Sequence, residues 1–196
     1  MQEKCIVFSD IYDQYYLKIQ NYLNRLVGDQ EAEEVTQIVF VKISQKLDSF
    51  KEKSKLSTWL YRIATNAGLD KLRSSSYKYS STGPIAPFPI HTAETEHAIF
   101  ENTNNKHSLD SKLIKSEMNE CIREFVDKLP SDYRAIIVLS EFEGFTNKEI
   151  ADILQISIAT AKIRLHRART ELKKSLENGC DFYFDEHNEF ACDRKH

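Results

Sequence analysis

The chain of 196 residues is poor in glycine, in proline and in long hydrophobic runs. Its five glycines are not clustered, so the sequence contains no glycine-rich phosphate-binding loop. No apolar run approaches the roughly 18 residues that a membrane span requires, and the amino-terminal stretch MQEKCIVFSD lacks the features of a signal peptide. Neither an HExxH motif nor a recognisable Ser/His/Asp or Cys/His arrangement is present. We therefore expect a cytoplasmic protein that does not insert into membranes, has no catalytic residues and needs no cofactor.

What the chain does contain is enough apolar material for packed cores, with 41% hydrophobic and 29% charged residues. The net charge of -3 conceals an uneven distribution. Residues 162–174 carry six basic side chains against the single acid Glu171. A local basic helix in an acidic chain is typical of a protein with a nucleic-acid partner and a protein partner. The four cysteines are scattered and predict no disulfide framework.

Apolar residues recur at three- and four-residue spacing between residues 8 and 73, which predicts three helices. The first carries an apolar stripe that ends near Gly28, formed by Phe8, Tyr12, Tyr15, Ile19, Tyr22, Leu23 and Leu26. The second is predicted over residues 31–47, with an inward face of Val35, Ile38, Val39, Ile43 and Leu47. The third is predicted to begin at Ser57 and to bury Trp59, Leu60, Ile63, Ala64, Ala67 and Leu72, with Gly68 as a weak point.

The composition changes after residue 73. The stretch SSSYKYSSTGPIAPFPIHTAETEH holds three of the four prolines and no sustained period, so residues 74–110 read as a flexible linker. Helical spacing returns from residue 111, and Pro130 opens another helix whose predicted core is Tyr133, Ile136, Ile137, Leu139 and Phe142. We therefore predict an all-α protein, with two small helical domains joined by a linker.

The most informative stretch is TNKEIADILQISIATAKIRLHRARTEL, residues 146–172. It predicts a short amphipathic helix, a turn at Gln155 and Ile156, and a longer basic helix capped by Ser157. The second helix buries a seam of Ala161, Leu165, Ala168 and Leu172. This is a helix-turn-helix, and its outward face is predicted to contact DNA through Ser157, Thr160, Lys162, Ile163, Arg164, His166 and Arg167.

Two ordered stretches resemble bacterial sigma factors of the sigma-70 type, and most closely the extracytoplasmic-function (ECF) group. The first contains LDSF (47–50), STWLYRIA (57–64), Asn66, Asp70 and Arg73. The second runs from LPSDYR at residue 129 through the T-x-K-x-R-L-x-R-A-R pattern at 160–169. The resemblance implies sigma domain 2 over residues 4–73, the linker 74–110, sigma domain 4 over 111–176 and a Cys-containing tail, 177–196.

The resemblance also implies a function and partners. A sigma factor binds core RNA polymerase at its clamp and flap regions, directs it to promoter DNA and promotes transcription initiation, and many members pair with an anti-sigma factor. The positions that match minus-ten recognition and melting are Tyr61, Arg62, Asn66, Asp70, Lys71 and Arg73. Asn66 matches the residue that lines the pocket for a flipped base, and Asp70 could support it. The positions that match the polymerase-docking helix are Glu34, Gln37 and Phe40.

The linker length is compatible with two contacts on one promoter. About 37 residues reach ~120 Å when fully extended and average roughly 35 Å as a coil. Two DNA elements separated by two helical turns lie on the order of 70 Å apart. The alternative interpretation is a helix-turn-helix regulator whose first domain senses a ligand or binds a partner. It would need another sigma factor to start transcription.

The tail has a different pattern. Phe182 and Phe184 alternate with polar residues, and a turn could lie over residues 185–188, so a short β-hairpin packed on the second domain is predicted. Four side chains are of types that bind zinc, namely Cys180, His187, Cys192 and His196. The C-x11-C spacing matches no compact zinc knuckle. The hairpin is favoured, and metal binding or redox sensing remains the alternative.

Overall fold

Three helices build the amino-terminal lobe. The computed structural model describes residues 7–52, 54–79, 121–184 and 190–195. In this lobe α1 spans Phe8–Val27, α2 spans Asp29–Lys46 and α3 spans Leu56–Tyr79, with one 3₁₀ turn at Leu47–Ser49. Gly28 connects α1 to α2 at φ 91°, a backbone conformation that other residues rarely adopt. Asp29 and Glu31 then occupy the first turn of α2, where the helix dipole favours acidic side chains.

The core of the amino-terminal lobe is formed by facing stripes of the three helices. Its fully buried side chains include Ile11, Ile19, Tyr22, Leu23, Leu26, Val39, Ile43 and Leu60. Inside it the hydroxyl groups of Tyr22 and Thr65 are hydrogen-bonded at 2.8 Å, which satisfies two buried polar groups. A Cβ atom on Gly68 would lie 2.6 Å from Leu26 Cδ2. The predicted weak point of α3 is therefore the place where α3 comes closest to α1.

Two predicted core positions of this lobe are wrong. Ile38 is 41% exposed and Tyr12 is also exposed, whereas Ile11, which was not predicted, is buried. The apolar stripes of α1 and α2 are wider than the buried faces, and sequence spacing cannot tell which edge of a wide stripe faces inward. The structure keeps most of each predicted face and changes only its edge, where Ile11 is buried in place of Tyr12 on α1 and Phe40 in place of Ile38 on α2.

Four helices and a hairpin form the carboxyl-terminal lobe. Residues 121–127 are helical (α4), and Pro130 leads into α5, Ser131–Ile137. Helix α5 continues into a π turn at Val138–Phe142, in which the Glu143 N–H donates to the Val138 carbonyl at 3.1 Å. A π turn holds one extra residue. This rotates Phe142 outward, so its predicted core role is wrong, and Val138 is buried instead.

The helix-turn-helix follows at the predicted place. Helix α6 spans Asn147–Leu154 and α7 spans Ile158–Gly179. Thr146 and Glu149 form a reciprocal capping box at the start of α6, a device that satisfies two backbone N–H groups at once. Gln155 makes the turn at φ 55°, and Ser157 caps α7 by accepting a hydrogen bond from the Thr160 N–H.

A two-stranded antiparallel hairpin completes the described chain. Strand β1 is Cys180–Phe184 and β2 is Phe190–Arg194, with Cys180 opposite Arg194 and Phe182 opposite Cys192. The hairpin prediction is confirmed, while the predicted turn at residues 185–188 lies outside the described residues. The expectation of two helical units, the second with a helix-turn-helix, is also confirmed. The predicted start of the linker is wrong, because residues 74–79 are the last part of α3. The rest of the predicted linker, 80–110, lies outside the described residues.

The two lobes are packed against each other. Their buried residues join into one hydrophobic core, in which the Tyr61 ring of α3 contacts the Phe145 ring of the carboxyl-terminal lobe with 4.7 Å between centroids.

Among the described helices, none combines the length and apolar character needed to cross a membrane.

Candidate nucleic-acid interface

The first half of α7 presents an open polar surface. Ser157 and Thr160 lie at its amino terminus, where the Thr160 N–H donates to Ser157 Oγ at 3.0 Å. Behind them Lys162, Ile163 and His166 are exposed, while Ala161, Leu165 and Ala168 on the opposite face are buried. The buried seam thus fixes the helix with its predicted DNA-contacting side outward, which is the presentation that major-groove reading requires.

The arginines of α7 are held by acidic neighbours at the edge of this surface. Arg164 lies 3.4 Å from an Asp132 carboxylate oxygen of α5, and Arg169 lies 2.7 Å from Glu141. Arg167 is half-buried. The Arg169 pair is solvent-exposed and the Arg164 pair is partly exposed, and pairs at the surface contribute little to stability. The guanidinium groups can therefore exchange a carboxylate for a DNA phosphate at low cost.

A second predicted DNA surface lies on α3. Asn66 and Asp70 are exposed and one helical turn apart, so they share one face of the helix. Arg73 extends the same face and lies 3.8 Å from Asp70 and 3.8 Å from Asp132 of the other lobe. The structure brings these three predicted residues together on one side of α3.

Tyr61 and Arg62, also predicted to contact DNA, face the carboxyl-terminal lobe. Tyr61 is only 4% exposed, and its hydroxyl donates to Glu143 Oε2 at 2.6 Å. Burial, and then the bond to Glu143, raises the pKa of Tyr61. Arg62 Nε donates to the Asp152 carbonyl at 2.9 Å. In the packed chain Tyr61 therefore offers no surface to a nucleic acid.

The remaining cation of the predicted minus-ten set is engaged within its own lobe. Lys71 Nζ lies 2.5 Å from Glu31 and 2.7 Å from Glu34 on α2. The hydrogen bonds to Glu31 and Glu34 raise the pKa of Lys71, because both stabilise the charged form. Lys71 thus links α3 to the helix predicted to dock on the polymerase.

The outer face of α2 differs from the prediction in one residue. Glu34 and Gln37 are exposed, but Phe40 is buried, with its ring 5.1 Å from Tyr12 and 5.5 Å from Tyr16 between centroids. A large aromatic side chain on the inward edge of α2 is better accommodated in the core, so Phe40 is corrected to a supporting residue.

Ile38 and Val41 take the place of Phe40 on that outer face, since both are exposed. Together with Glu34 and Gln37 they follow the i, i+3, i+4, i+7 spacing of a single helix face. That spacing was the signal that could have identified them from the sequence.

Two charged contacts join the lobes beside Tyr61. Glu143 accepts from Tyr61 and also pairs with Arg25 of α1 at 3.1 Å. Lys55 Nζ lies 2.8 Å from Glu149 of α6. The Lys55 ammonium, followed by the Thr146 backbone and side chain, lowers the pKa of Glu149 to about 2. Glu143 was not singled out from the sequence, because its partners lie 82 and 118 residues away.

A third cysteine, from outside the tail, lies beside the two cysteines of the tail. Cys180 and Cys192 lie with Cys121 of α4, and the three sulfur atoms are all within 4.8 Å of one another. His187 and His196, the other predicted ligands, lie outside the described residues. Cys121 was missed because 59 residues separate it from Cys180 and no spacing pattern connects them.

A capped helix-turn-helix with an open basic helix, packed on a three-helix lobe, is the architecture of a DNA-binding protein. Residues 11–77 match sigma-70 region 2, and residues 119–172 match sigma-70 region 4. The ECF RNA polymerase sigma factor SigW of Bacillus subtilis is 33% identical over 172 residues, or 87% of this chain and 89% of SigW. The RNA polymerase sigma factor SigZ of the same organism is 30% identical over 90% of this chain and 91% of SigZ.

Solved structures share the fold. The sigma factor RpoE of Bartonella quintana, in complex with the anti-sigma factor NepR, superposes with a TM-score of 0.59 at 24% identity, over 87% of this chain and 96% of that chain. CnrH, in complex with the cytosolic domain of CnrY, gives a TM-score of 0.58 at 20% identity over 87% and 88%. The chain belongs to the sigma-70 family, in its ECF group, and is an RNA polymerase sigma factor.

Proposed function

We propose that this sigma factor holds a promoter at two points, with the first half of α7 on the minus-thirty-five element and the exposed face of α3 on the minus-ten element. The observation that carries the proposal is the simultaneous exposure of both faces on the two regions that match the family. In this assignment the chain performs no catalysis of its own and acts in the cytoplasm, where the polymerase carries out synthesis.

On the minus-thirty-five side, the amino terminus of α7 enters the major groove. Ser157 and Thr160 lie where side chains of a recognition helix reach base edges, and Ile163 offers an apolar contact. Lys162, Arg164, His166 and Arg167 approach the flanking phosphates, which position the protein without specifying sequence. Release of Arg164 from Asp132 accompanies this contact.

On the minus-ten side, Asn66 hydrogen-bonds an unpaired base. Asp70, one turn further along the helix, orients the Asn66 side chain. Lys71 and Arg73 approach the backbone of the single strand. Opened DNA is held by pockets and stacking surfaces flanked by cations. Tyr61 and Arg62 take part only after the carboxyl-terminal lobe has moved away from α3, because both are bonded to that lobe in the packed chain.

Separation of the lobes is also required by distance. Two promoter elements on the order of 70 Å apart cannot both be reached while Tyr61 and Phe145 are in contact. Binding of α2 to core polymerase, through Glu34, Gln37, Ile38 and Val41, supplies the free energy for opening. Phe40 supports this surface from beneath.

The domain limits that accompany the proposal are 4–79 for sigma domain 2, 80–110 for the linker, 111–176 for sigma domain 4 and 177–196 for the tail.

An anti-sigma factor is proposed as a further partner. The solved relatives named above are complexes with NepR and with CnrY, and a protein that occupies the polymerase- or DNA-binding faces would block both activities of this chain.

The test is in vitro transcription with purified core polymerase and a library of promoter fragments, with start sites mapped. Specific transcripts in the absence of any other sigma factor are expected. Asn66→Ala should lower open-complex formation by roughly 5- to 150-fold, the equivalent of about 1–3 kcal/mol for a lost base contact. The matched control is Asn21→Ala, an exposed amide on α1, which should behave as the unmodified chain.

The alternative regulator predicts a different result. It would bind promoter duplex alone, fail to bind core polymerase, and support transcription only when another sigma factor is added. Equal activity of Asn66→Ala and Asn21→Ala would remove the minus-ten assignment and leave the sigma function standing.

A further inference from the structure

Three cysteine thiols converge at the junction of the tail and the carboxyl-terminal lobe. Cys121 comes from α4, Cys180 from the first residue of β1 and Cys192 from β2. The sulfur atoms of Cys121 and Cys180 are 3.7 Å apart, and all three lie within 4.8 Å of one another. Cys180 is 1% exposed, while the other two are half-buried. The cluster is therefore mostly shielded from water, with access from one side.

The register of the hairpin creates this convergence. Cys192 lies opposite Phe182 and Cys180 opposite Arg194, so the two cysteines are diagonal neighbours on the same face of the sheet. Close packing then presses that face against α4. A Cβ atom on Gly179 would lie 2.4 Å from Phe125 Cζ, and Arg194 pairs with Glu124 of α4. Cys121 is brought to the pair by tertiary packing alone.

The distance between the Cys121 and Cys180 sulfur atoms matches a tetrahedral metal site, and the Cys192 sulfur atom lies within 4.8 Å of both. A zinc–sulfur bond of about 2.3 Å places neighbouring tetrahedral sulfur atoms about 3.8 Å apart, close to the distance between Cys121 and Cys180. Thiolate ligands select thiophilic ions over hard ones such as Mg²⁺.

The geometry of the cluster favours metal binding over a disulfide. The sulfur atoms of Cys121 and Cys180 are 3.7 Å apart, far beyond the roughly 2.05 Å of a disulfide bond. A disulfide uses two sulfur atoms, whereas a thiophilic ion can be bound by all three sulfur atoms that lie within 4.8 Å of one another.

We propose that Cys121, Cys180 and Cys192 form a three-thiolate site for a thiophilic ion of the Zn²⁺ type, which fixes the carboxyl-terminal hairpin to α4. The ion has four tetrahedral positions, and the three thiolates fill three of them, so a water molecule or another ligand would occupy the fourth. Each thiol releases its proton as the ion binds, so the affinity falls as the pH is lowered. The bound ion stabilises the carboxyl-terminal lobe, because the site exists only in the folded chain.

The experiment uses the full-length chain, purified under reducing conditions and stripped of metal. Co²⁺ is the spectroscopic probe, since thiolate coordination gives an intense charge-transfer band, and Zn²⁺ is then added in competition. One ion per chain is expected, with proton release that diminishes at high pH. The metal should also slow amide exchange in residues 180–184 and 190–194.

Single Cys→Ser variants identify the ligands. Cys121→Ser, Cys180→Ser and Cys192→Ser should each weaken binding by more than the roughly 10- to 100-fold that loss of an outer-shell group costs. Cys5→Ser, which replaces the remaining cysteine, is the matched control and should bind as the unmodified chain. Because Cys180 is buried and its replacement could impair folding, the half-buried Cys121 and Cys192 decide the result, with helix content checked by circular dichroism.

Three outcomes overturn the proposal. They are failure of the reduced chain to bind either ion, binding that is unchanged in a folded Cys121→Ser or Cys192→Ser variant, and binding that Cys5→Ser weakens as strongly. Since no polymerase or DNA is present, these outcomes are independent of the promoter assignments.

Discussion

The two helices proposed to bind DNA, α3 and α7, differ in how much of their surface the packed chain leaves open. On α7 the outward residues Lys162, Ile163 and His166 are exposed. On α3 Asn66 and Asp70 are exposed, but Tyr61 and Arg62 are bonded to the carboxyl-terminal lobe. The proposed DNA surface of α7 is open in the packed chain, whereas the proposed DNA surface of α3 is partly covered by the carboxyl-terminal lobe.

This difference has a physical consequence for the order of events. Duplex contacts by α7 need only exchange exposed ion pairs, which contribute little to stability. Full use of α3 requires the loss of a buried aromatic contact and of the bonds around Glu143. Under the proposed assignment, recognition and melting have different energetic costs within one chain, and binding to the polymerase would supply the difference.

The largest expected effect comes from Glu143→Ala, which removes the acceptor shared by Tyr61 and Arg25. The change leaves a buried hydroxyl unpaired and should lower the free energy of unfolding by about 2–3 kcal/mol, less than for a fully buried pair because Arg25 is half exposed. Urea unfolding measures this loss, and energy transfer between labels on α1 and α7 measures opening.

Glu141→Ala is the control for that substitution. Glu141 lies on the π turn that directly precedes Glu143, but it pairs with Arg169 inside its own lobe. Equal destabilisation by the two substitutions would mean that the lobes are not held together by Glu143.

Substitutions of Tyr61 test whether its ring serves both packing and DNA. Tyr61→Phe keeps the ring and loses the bond to Glu143, which should cost about 1.5 kcal/mol for a hydrogen bond to a charged group. The contact between the two lobes then weakens, so the affinity for single-stranded minus-ten DNA should rise by a factor equivalent to the same free energy. Tyr61→Ala should instead lose both packing and DNA binding, because base stacking on an aromatic ring contributes about 1–3 kcal/mol.

Fluorescence anisotropy with a labelled single strand measures both Tyr61 variants. A Phe variant that binds the strand more weakly than the unmodified chain would place the hydroxyl, and not only the ring, on the DNA.

Lys162→Ala tests the open surface. Loss of one phosphate contact should weaken duplex binding roughly 5-fold at physiological salt and reduce the salt slope by about 1, without a change in the free energy of unfolding. Lys173→Ala, near the far end of α7 and exposed, is the control. An unchanged salt slope for Lys162→Ala would exclude this side chain from the phosphate contacts.

The smallest expected effect is a pH dependence of lobe packing. Lys55 lowers the pKa of Glu149 to about 2, from an ordinary value of 4.5. A lowered carboxyl pKa stabilises the folded form above the ordinary value, and this contribution is lost as the pH falls through about 2. The difference in stability between the unmodified chain and Glu149→Gln should therefore be constant near neutral pH and vanish in acid.

Thermal unfolding of the two proteins across this pH range checks the prediction. A difference that persists at pH 2 would assign the contribution of Glu149 to its capping of α6 rather than to the charge pair with Lys55.

Much of the fold could be predicted from the sequence because it depends on local chemistry. Ser157 caps α7, the seam of Ala161, Leu165 and Ala168 faces inward, and the hairpin forms where aromatic and polar residues alternate. The errors occur where local spacing is ambiguous. Because the apolar stripe of α2 is wide, the prediction placed Ile38 inside and Phe40 outside, and the structure shows the reverse. The π turn places Phe142 outside the core.

The candidate sites show the same difference between residues related by local spacing and residues that only long-range contacts bring together. Residues that share a helix face, such as Asn66 with Asp70, could be grouped by their spacing of four. Cys121 could not be joined to Cys180 and Cys192, and Glu143 could not be joined to Tyr61 and Arg25, because these neighbours lie far apart in the chain and no periodicity connects them.

By itself the sequence determined most of the helices, the Ser157 cap and the helix-turn-helix, since each depends on residues within a few turns of one another, and two ordered motifs indicated the family. Only the tertiary structure decided that the two lobes close over Tyr61 and that three cysteines meet beside the hairpin. The physical reason is that long-range contacts depend on how whole helix faces pack and on which buried polar groups find partners, and neither property is encoded in any single stretch of the chain.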